Sequence, residues 1–60
     1  MISGKHDHED GTITHWQYDP ERGIFSALLG GTWRGYRWEA GRDPDDADVA
    51  ALIQELKALG

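Results

Sequence analysis

Two histidines and three acidic residues lie together near the start of the chain, in the stretch H-D-H-E-D at positions 6–10. Imidazole nitrogen and carboxylate oxygen both bind transition metals, and His15 could supply a further ligand. A metal site also needs ligands held at fixed geometry by the groups around them, whereas this segment is polar and lacks periodicity. We therefore predict a solvated polar tail here and no metal.

A second acidic stretch, D-P-D-D-A-D at positions 43–48, could be mistaken for a calcium loop. An EF-hand loop has glycine at its sixth position and an oxygen ligand at its fifth, where this stretch has Asp48 and Ala47. Catalysis would need a base and a nucleophile held in a cleft, for which His15 and Ser26 are the available candidates. Because 60 residues cannot easily enclose such a cleft, we predict no enzyme activity, no catalytic residue and no cofactor.

The composition is that of a small acidic chain. It has no cysteine, which excludes disulfides, and no apolar run approaches the roughly 20 residues of a transmembrane helix. The first ten residues are unlike a signal peptide, so we expect a cytoplasmic protein with no membrane partner. The formal charge is −5, with all four arginines between residues 11 and 42. This is the reverse of a nucleic-acid-binding surface, so we expect a basic protein partner and no direct nucleic-acid binding.

The elements that must position these residues form an α+β fold, predicted as a three-stranded antiparallel β-meander with one C-terminal helix packed on one face (β-β-β-α). Residues 1–11 are predicted to be a flexible acidic tail, and residues 12–60 a single small domain. The predicted strands, rich in β-branched and aromatic residues, are 12–18, 24–29 and 32–40.

The turns between these strands predict their register. The turn D-P-E-R-G, if it forms a four-residue loop after the aspartate, places Tyr18 opposite Phe25. The pair of glycines after Leu29 is typical of a two-residue hairpin, which places Leu29 opposite Thr32. Phe25 then faces Tyr36.

Apolar residues at helical spacing predict the C-terminal helix. They are Val49, Leu52, Ile53, Leu56 and Leu59. We predict Asp43 as the N-cap, Pro44 at the first helical position and an end at Gly60. Asp45 and Asp46 then lie in the first turn, where the helix dipole favours negative charge.

Strand alternation divides the side chains of the sheet into two faces. One face carries Trp16, Tyr18, Phe25, Ala27, Leu29, Arg34, Tyr36 and Trp38. The other carries Ile13, His15, Gln17, Ile24, Ser26, Leu28, Trp33 and Arg37. The first face has more apolar area, so we predict that the helix covers it. Ile24, Leu28 and Trp33 on the second face then form an exposed apolar patch, which usually marks an interface.

Folding accounts for only part of the D-P-D-D-A-D stretch. Capping and the helix dipole use Asp43 and one or two of its neighbours, but Asp48 lies beyond the full benefit of the dipole. Surplus charge of one sign indicates either solubility or recognition, and the sequence leaves both open. The candidate acidic surface comprises Asp7, Glu9, Asp10, Asp43, Asp45, Asp46, Asp48 and Glu55. Such a surface could be spaced like the phosphates of DNA.

In its length, its acidic D-P-D-D-A-D and H-D-H-E-D runs and its predicted sheet-plus-helix domain, the chain resembles a class of small acidic bacteriophage proteins. These proteins block host nucleic-acid machinery, and they include anti-CRISPR proteins. The resemblance is one of general type across the whole chain. It implies a stoichiometric inhibitor in the host cytoplasm that mimics DNA at a DNA-binding or PAM-reading surface and needs no catalytic residues.

The sequence therefore predicts a non-enzymatic binding protein whose acidic side meets a basic, nucleic-acid-binding surface of a partner. The alternative is a protein–protein interaction module or small homodimer that uses Ile24, Leu28 and Trp33, with acidity serving only solubility. A third possibility is a small nucleic-acid binder that uses the arginines and aromatic residues. A register error of one residue would favour it, by exposing the aromatic face to single-stranded bases.

Overall fold

A computed structural model describes residues 1–59, which form one antiparallel sheet and one helix. The elements are β1 (Ile2–Asp7), β2 (Ile13–Asp19), β3 (Ile24–Leu29), β4 (Thr32–Arg37) and α1 (Asp46–Leu59). The four strands are hydrogen-bonded in chain order, each antiparallel to the next. The α+β class and the C-terminal helix are confirmed, and the expected helix end at Gly60 lies outside the described residues. Within residues 1–59 no helix is long and apolar enough to cross a membrane.

The prediction of three strands is wrong, because β1 forms within the segment expected to be a flexible tail. β1 pairs with β2 over its whole length and makes a fourth strand at the edge of the sheet. Ile2 lies opposite Tyr18 and packs against the core. Gly4 lies opposite Trp16, and a Cβ at this glycine would come within 2.8 Å of the indole ring. Because Gly4 has no side chain, the Trp16 indole can lie over β1 at this position.

The turns set the register of the remaining strands as predicted. Tyr18 lies opposite Phe25, and Phe25 lies opposite Tyr36. Leu29 lies opposite Thr32 across two glycines that both have positive φ, as a primed two-residue hairpin requires. The third predicted strand, 32–40, ends earlier than expected, at Arg37, because the chain then turns towards the start of the helix.

α1 packs on the face of the sheet that the sequence predicts. The buried core comprises Tyr18, Phe25, Ala27, Val49, Leu52, Ile53 and Leu56. Half-buried residues that pack around it include Ile2, Trp16, Leu29, Tyr36 and Trp38. The opposite face of the sheet, which we call the outer face, has no helix over it and bears the side chains of Ile13, Leu28 and Trp33.

Candidate functional site

Asp45, and not Asp43, caps α1. The Asp45 carboxylate accepts a hydrogen bond of 2.8 Å from the N–H of Asp48, and the Asp48 carboxylate accepts one of 3.1 Å from the N–H of Asp45. These reciprocal bonds form a capping box, with aspartate in the position that glutamate usually takes. The Asp45 carbonyl also accepts the first helical hydrogen bond, from the N–H of Val49. The predicted cap at Asp43 and first helical position at Pro44 are therefore wrong by two residues.

Arg42 explains why the helix starts at this point. Its guanidinium donates two hydrogen bonds to the Asp48 carboxylate, one of them from Nη2 to Oδ1 at 3.0 Å. It also forms an ion pair with Asp45 at 3.9 Å. Its Cζ lies 5.5 Å from the centre of the Trp38 ring, which in turn packs edge-on against Tyr18 of the core. The start of the helix is thus tied to the sheet through one arginine.

The contacts of Asp48 give it a role in folding. Hydrogen bonds from Arg42, and then the N–H of Asp45, hold the pKa of the Asp48 carboxyl at about 2, below its ordinary value of 3.8. The same bonds to Asp48 raise the pKa of the Arg42 guanidinium. Asp48 is therefore not surplus to folding, contrary to the expectation from its sequence position. The spacing of Asp45 and Asp48 in the sequence, which matches a capping box, could have indicated this role of Asp48.

The lowered pKa predicts a specific dependence of stability on pH. The folded-state pKa of Asp48 lies below the ordinary value, so its contribution is present above about pH 4 and is lost as the pH falls through about 2. We expect Asp48→Asn to lower the melting temperature by a few degrees at neutral pH. Its melting curve should then approach that of the wild type near about pH 2.

Thermal melts of both proteins, followed by circular dichroism across this pH range, test this prediction. Asp46→Asn is the matched control, because Asp46 lies in the same helical turn and its side chain makes no hydrogen bond or ion pair within residues 1–59. It removes only the interaction of a carboxylate with the helix dipole, so its profile should stay closer to that of the wild type than the Asp48→Asn profile does. A difference between wild type and Asp48→Asn that stays constant from neutral to acid pH would contradict the role assigned to the carboxylate.

The candidate acidic residues lie in separate places on the fold. The first group is Asp7, Glu9 and Asp10, at the β1–β2 turn. This turn forms a shallow groove with one flank of α1 that includes Lys57. α1 begins at the opposite end of the sheet, where Asp43 lies beside Pro20 of the β2–β3 turn. Glu55 lies on another side, near Tyr36, whose pKa is raised by burial and then by this carboxylate.

Asp10 also has a structural role. Its carboxylate accepts hydrogen bonds from the N–H of Thr12 at 3.0 Å and from the Thr12 hydroxyl at 2.6 Å. These bonds lower the pKa of Asp10 and shape the turn between β1 and β2. The candidates whose side chains make no hydrogen bond or ion pair within residues 1–59 are Asp7, Glu9, Asp43, Asp46 and Glu55.

The outer face of the sheet carries the apolar candidates. Trp33 and Ile13 are 48% and 53% exposed, and Leu28 and Ile24 are half-buried. Leu28 lies directly opposite Trp33, and the two line a shallow depression together with His15. Ile24 lies further along β3, beyond Ser26, so the most continuous apolar area is the one around Trp33.

Charges on the outer face balance. Its basic side chains are Lys5, Arg22 and Arg37, and its acidic side chains are Asp7, Asp19 and Glu39. Four of them form ion pairs, Arg22 with Asp19 at 3.7 Å and Arg37 with Glu39 at 3.6 Å. The net charge of −5 therefore belongs to the helix side and the ends of the sheet. The molecule has a neutral, partly apolar face and an acidic remainder.

The three histidines do not form one cluster. His6 and His8 pack edge to face at 4.9 Å, and His8 Nε2 shares a hydrogen bond of 2.6 Å with the buried Thr14 hydroxyl. His15 lies on the outer face, the other side of the sheet. In the part of the chain that the structure describes, no three His, Asp or Glu side chains are arranged to hold a metal ion.

The fold leaves two candidate binding surfaces, the neutral outer face and the acidic groups at the ends of the sheet. Each is an open surface depression or an exposed group of side chains. Comparison of the chain with protein-family models, curated proteins and solved structures gives no match.

Proposed function

We propose that this chain is a non-catalytic binding protein that uses the outer face of its sheet to bind a partner protein. The supporting observation is the exposure of Trp33, about half of whose surface is accessible, on a face with no net charge in an otherwise acidic molecule. Tryptophan is among the residues that contribute most to protein interfaces. An apolar patch on a small domain that has no helix to cover it is a typical site of association.

The chemistry of this face favours a protein over a nucleic acid. Phosphate binding needs an excess of basic side chains, whereas the basic and acidic groups here are equal in number and partly paired. The negative charge elsewhere in the chain also repels a phosphate backbone at long range. Apolar residues at the centre with polar residues around them match the anatomy of protein interfaces. The partner we propose is a folded protein with an apolar, uncharged patch.

A capture experiment with matched variants tests the outer face. The wild-type chain, Trp33→Ala and Leu59→Ala are immobilised and exposed to a lysate of the source cells, and the bound proteins are quantified by mass spectrometry. We expect a bound protein whose affinity, measured after purification, falls about tenfold or more with Trp33→Ala. Leu59→Ala removes another exposed apolar side chain, away from the sheet, and should bind as the wild type does. Equal binding by Trp33→Ala would contradict the proposal.

The acidic groups support a second proposal, an inhibitor that occupies a basic, nucleic-acid-binding surface of its partner as a DNA mimic of the anti-CRISPR type. Its support is the exposed pair Asp43 and Asp46 at the start of α1, together with Glu9 and Asp10 at the far end of the sheet. The molecule is 31 Å long, so these two groups could meet separate basic patches. Binding would then depend steeply on salt.

The same capture experiment separates the two proposals. The double variant Asp43→Lys, Asp46→Lys should lose a partner bound through the acidic groups, and that partner should be released by high salt. It should keep a partner bound through Trp33. Retention after charge reversal, with loss on Trp33→Ala, would exclude the mimic; the opposite pattern would exclude the outer face.

A further inference from the structure

β4 is an edge strand whose free backbone groups can be assigned. The N–H of Trp38 donates to the carbonyl of Gly23 at 2.7 Å, so these two residues occupy a hydrogen-bonded position of the β3–β4 ladder. Bonded and non-bonded pairs alternate along an antiparallel ladder. The backbone groups of Trp33, Gly35 and Arg37 therefore point away from β3, into the space beside the sheet. β4 pairs with β3 residue for residue, without a bulge, and contains no proline. Such an edge is a template for another strand.

Aromatic residues and arginines of β4 are placed at equal distances on the two sides of Gly35. Arg34 precedes this glycine and Tyr36 follows it. One residue further out, Trp33 lies on one side and Arg37 on the other. Each aromatic residue is thus mirrored by an arginine at the same distance from the centre. A strand with this pattern is complementary to an antiparallel copy of itself.

We propose that a second copy of this chain adds to the β4 edge in the antiparallel direction, with Gly35 opposite Gly35 at a twofold axis. Trp33 then lies opposite Arg37 of the second copy on the outer face. Arg34 lies opposite Tyr36 of the second copy on the helix side. Both are arginine–aromatic contacts, and the symmetry makes each of them twice. The product is a continuous eight-stranded sheet with both helices on the same side.

Neighbouring registers are less favourable. Backbone bonding allows shifts of two residues in the pairing, because only alternate residues point outward. A shift in one direction places Arg34 opposite Arg34 of the second copy, and like charges directly opposite each other are destabilising. A shift in the other direction places Trp33 opposite Glu39 of the second copy, so that Trp33 loses its contact with Arg37. The register centred on Gly35 is the one in which every arginine faces an aromatic residue.

An acidic side chain of each copy lies close to the edge at which the two copies meet. Glu55 lies near Tyr36, as its effect on the ionisation of that tyrosine indicates. Arg34 of the second copy, placed opposite Tyr36, would meet this carboxylate as well.

The other edge of the sheet lacks this complementarity. The N–H of His8 donates to the carbonyl of Thr12, and alternation from that pair leaves the backbone of alternate β1 residues facing outward. Two β1 strands paired through these outward-facing residues, with Ser3 opposite Asp7, would place Lys5 opposite Lys5. β4 paired with β1 would place Trp33 opposite Asp7 and would build an open-ended chain of molecules.

Hydrogen exchange on the unmodified protein tests the dimer directly. An interface of one strand pair is small, so we expect a dissociation constant on the order of 10–100 µM. Raising the concentration from well below this constant to about ten times it should slow the exchange of the Trp33 and Gly35 amides about fivefold, because about one fifth of the chains are then still monomeric. The amides of Ser3 and Lys5, which face outward on β1, serve as an internal control and should stay fast. Sedimentation should give twice the mass of one chain.

Charge reversal supplies the matched variants. Arg34→Glu changes the helix side of the edge and leaves the outer face intact, so its failure to dimerise is separable from any loss of partner binding through Trp33. We expect it to raise the dissociation constant about tenfold or more, because it removes two symmetric contacts and adds repulsion to Glu55. Lys5→Glu makes the same charge change on the opposite edge and should dimerise as the wild type does.

Three results would overturn the proposal. One is a monomeric mass at about ten times the expected dissociation constant. Another is slowed exchange on β1 in place of β4. The third is a mass that keeps growing beyond two chains, which would indicate head-to-tail pairing of unlike edges.

Discussion

We expect Phe25→Ala to lower the free energy of unfolding by about 3–5 kcal/mol. Phe25 is completely buried between the sheet and the helix, and the Trp16 ring stacks against it at a centroid distance of 5.8 Å. Truncating a buried phenylalanine costs about 3–5 kcal/mol, because transfer free energy is lost and a cavity remains. A domain of this length has a total stability of about 3–9 kcal/mol. One substitution therefore removes a large part of the free energy of unfolding.

Urea denaturation followed by tryptophan fluorescence and circular dichroism measures this loss. Ile13→Ala is the control, because Ile13 lies on the outer face and is 53% exposed. Its free energy of unfolding should change by less than about 1 kcal/mol. A folded Phe25→Ala protein with a free energy of unfolding close to that of the wild type would mean that the core is centred elsewhere.

The burial of Phe25 could be predicted because local turn chemistry settles the register of β2, β3 and β4. Two glycines with positive φ close the β3–β4 hairpin with Leu29 opposite Thr32. Once this pair is fixed, alternation assigns every side chain of the two strands to one face or the other. The apolar area of each face then identifies the side that the helix covers. Both steps depend on neighbouring residues, which a single sequence displays.

β1 could not be predicted because its reason for pairing lies in another strand. Its residues on the helix side are Ile2, Gly4 and His6, so the strand lacks a regular alternation of large apolar side chains. Glycine at the middle position is ordinarily unfavourable in a strand. Here it leaves room for the Trp16 ring, which only the folded sheet brings there. The reason for β1 to form is therefore the contact between Gly4 and Trp16, which the sequence of β1 alone does not reveal.

The start of the helix shows a similar dependence on distant contacts. Both Asp43 before a proline and Asp45 three residues before Asp48 are acceptable caps by sequence. Arg42 selects the second, because its guanidinium binds Asp48 while it lies against Trp38. Sequence reasoning detected the row of acidic residues but could not tell which of them folding already uses.

Charge along the chain was a poor guide to charge on the surface. The arginines are clustered in the middle of the sequence, yet Arg22, Arg37 and Arg42 each pair with a nearby carboxylate. These ion pairs leave the outer face neutral. Of the two arginines of β4, only Arg34 makes no ion pair within residues 1–59. Alternation of side chains across the sheet, and not position in the chain, decides which charges a partner meets.

Deleting residues 2–8 is the second change with a large expected effect. We expect the shortened chain to lose about 2 kcal/mol or more of stability and to unfold without a sharp transition. In the intact chain β1 helps to cover the side chains of Thr14, Trp16 and Tyr18 on β2. Removal of β1 exposes these side chains and makes β2 an edge strand. Each 100 Å² or so of newly exposed apolar surface costs about 2.5 kcal/mol, from which the entropy regained by the deleted residues must be subtracted.

Urea denaturation of the full-length and shortened chains decides between a strand and a tail, because a flexible tail would leave the free energy of unfolding unchanged. Two substitutions make the same test without a deletion. Gly4→Val should cost about 1–3 kcal/mol, because even its Cβ would lie 2.8 Å from the Trp16 ring. Lys5→Val, the adjacent residue on the open outer face, should be nearly neutral. Equal effects at the two positions would mean that β1 does not pack on Trp16, and the four-stranded sheet would then lose the contact that accounts for its first strand.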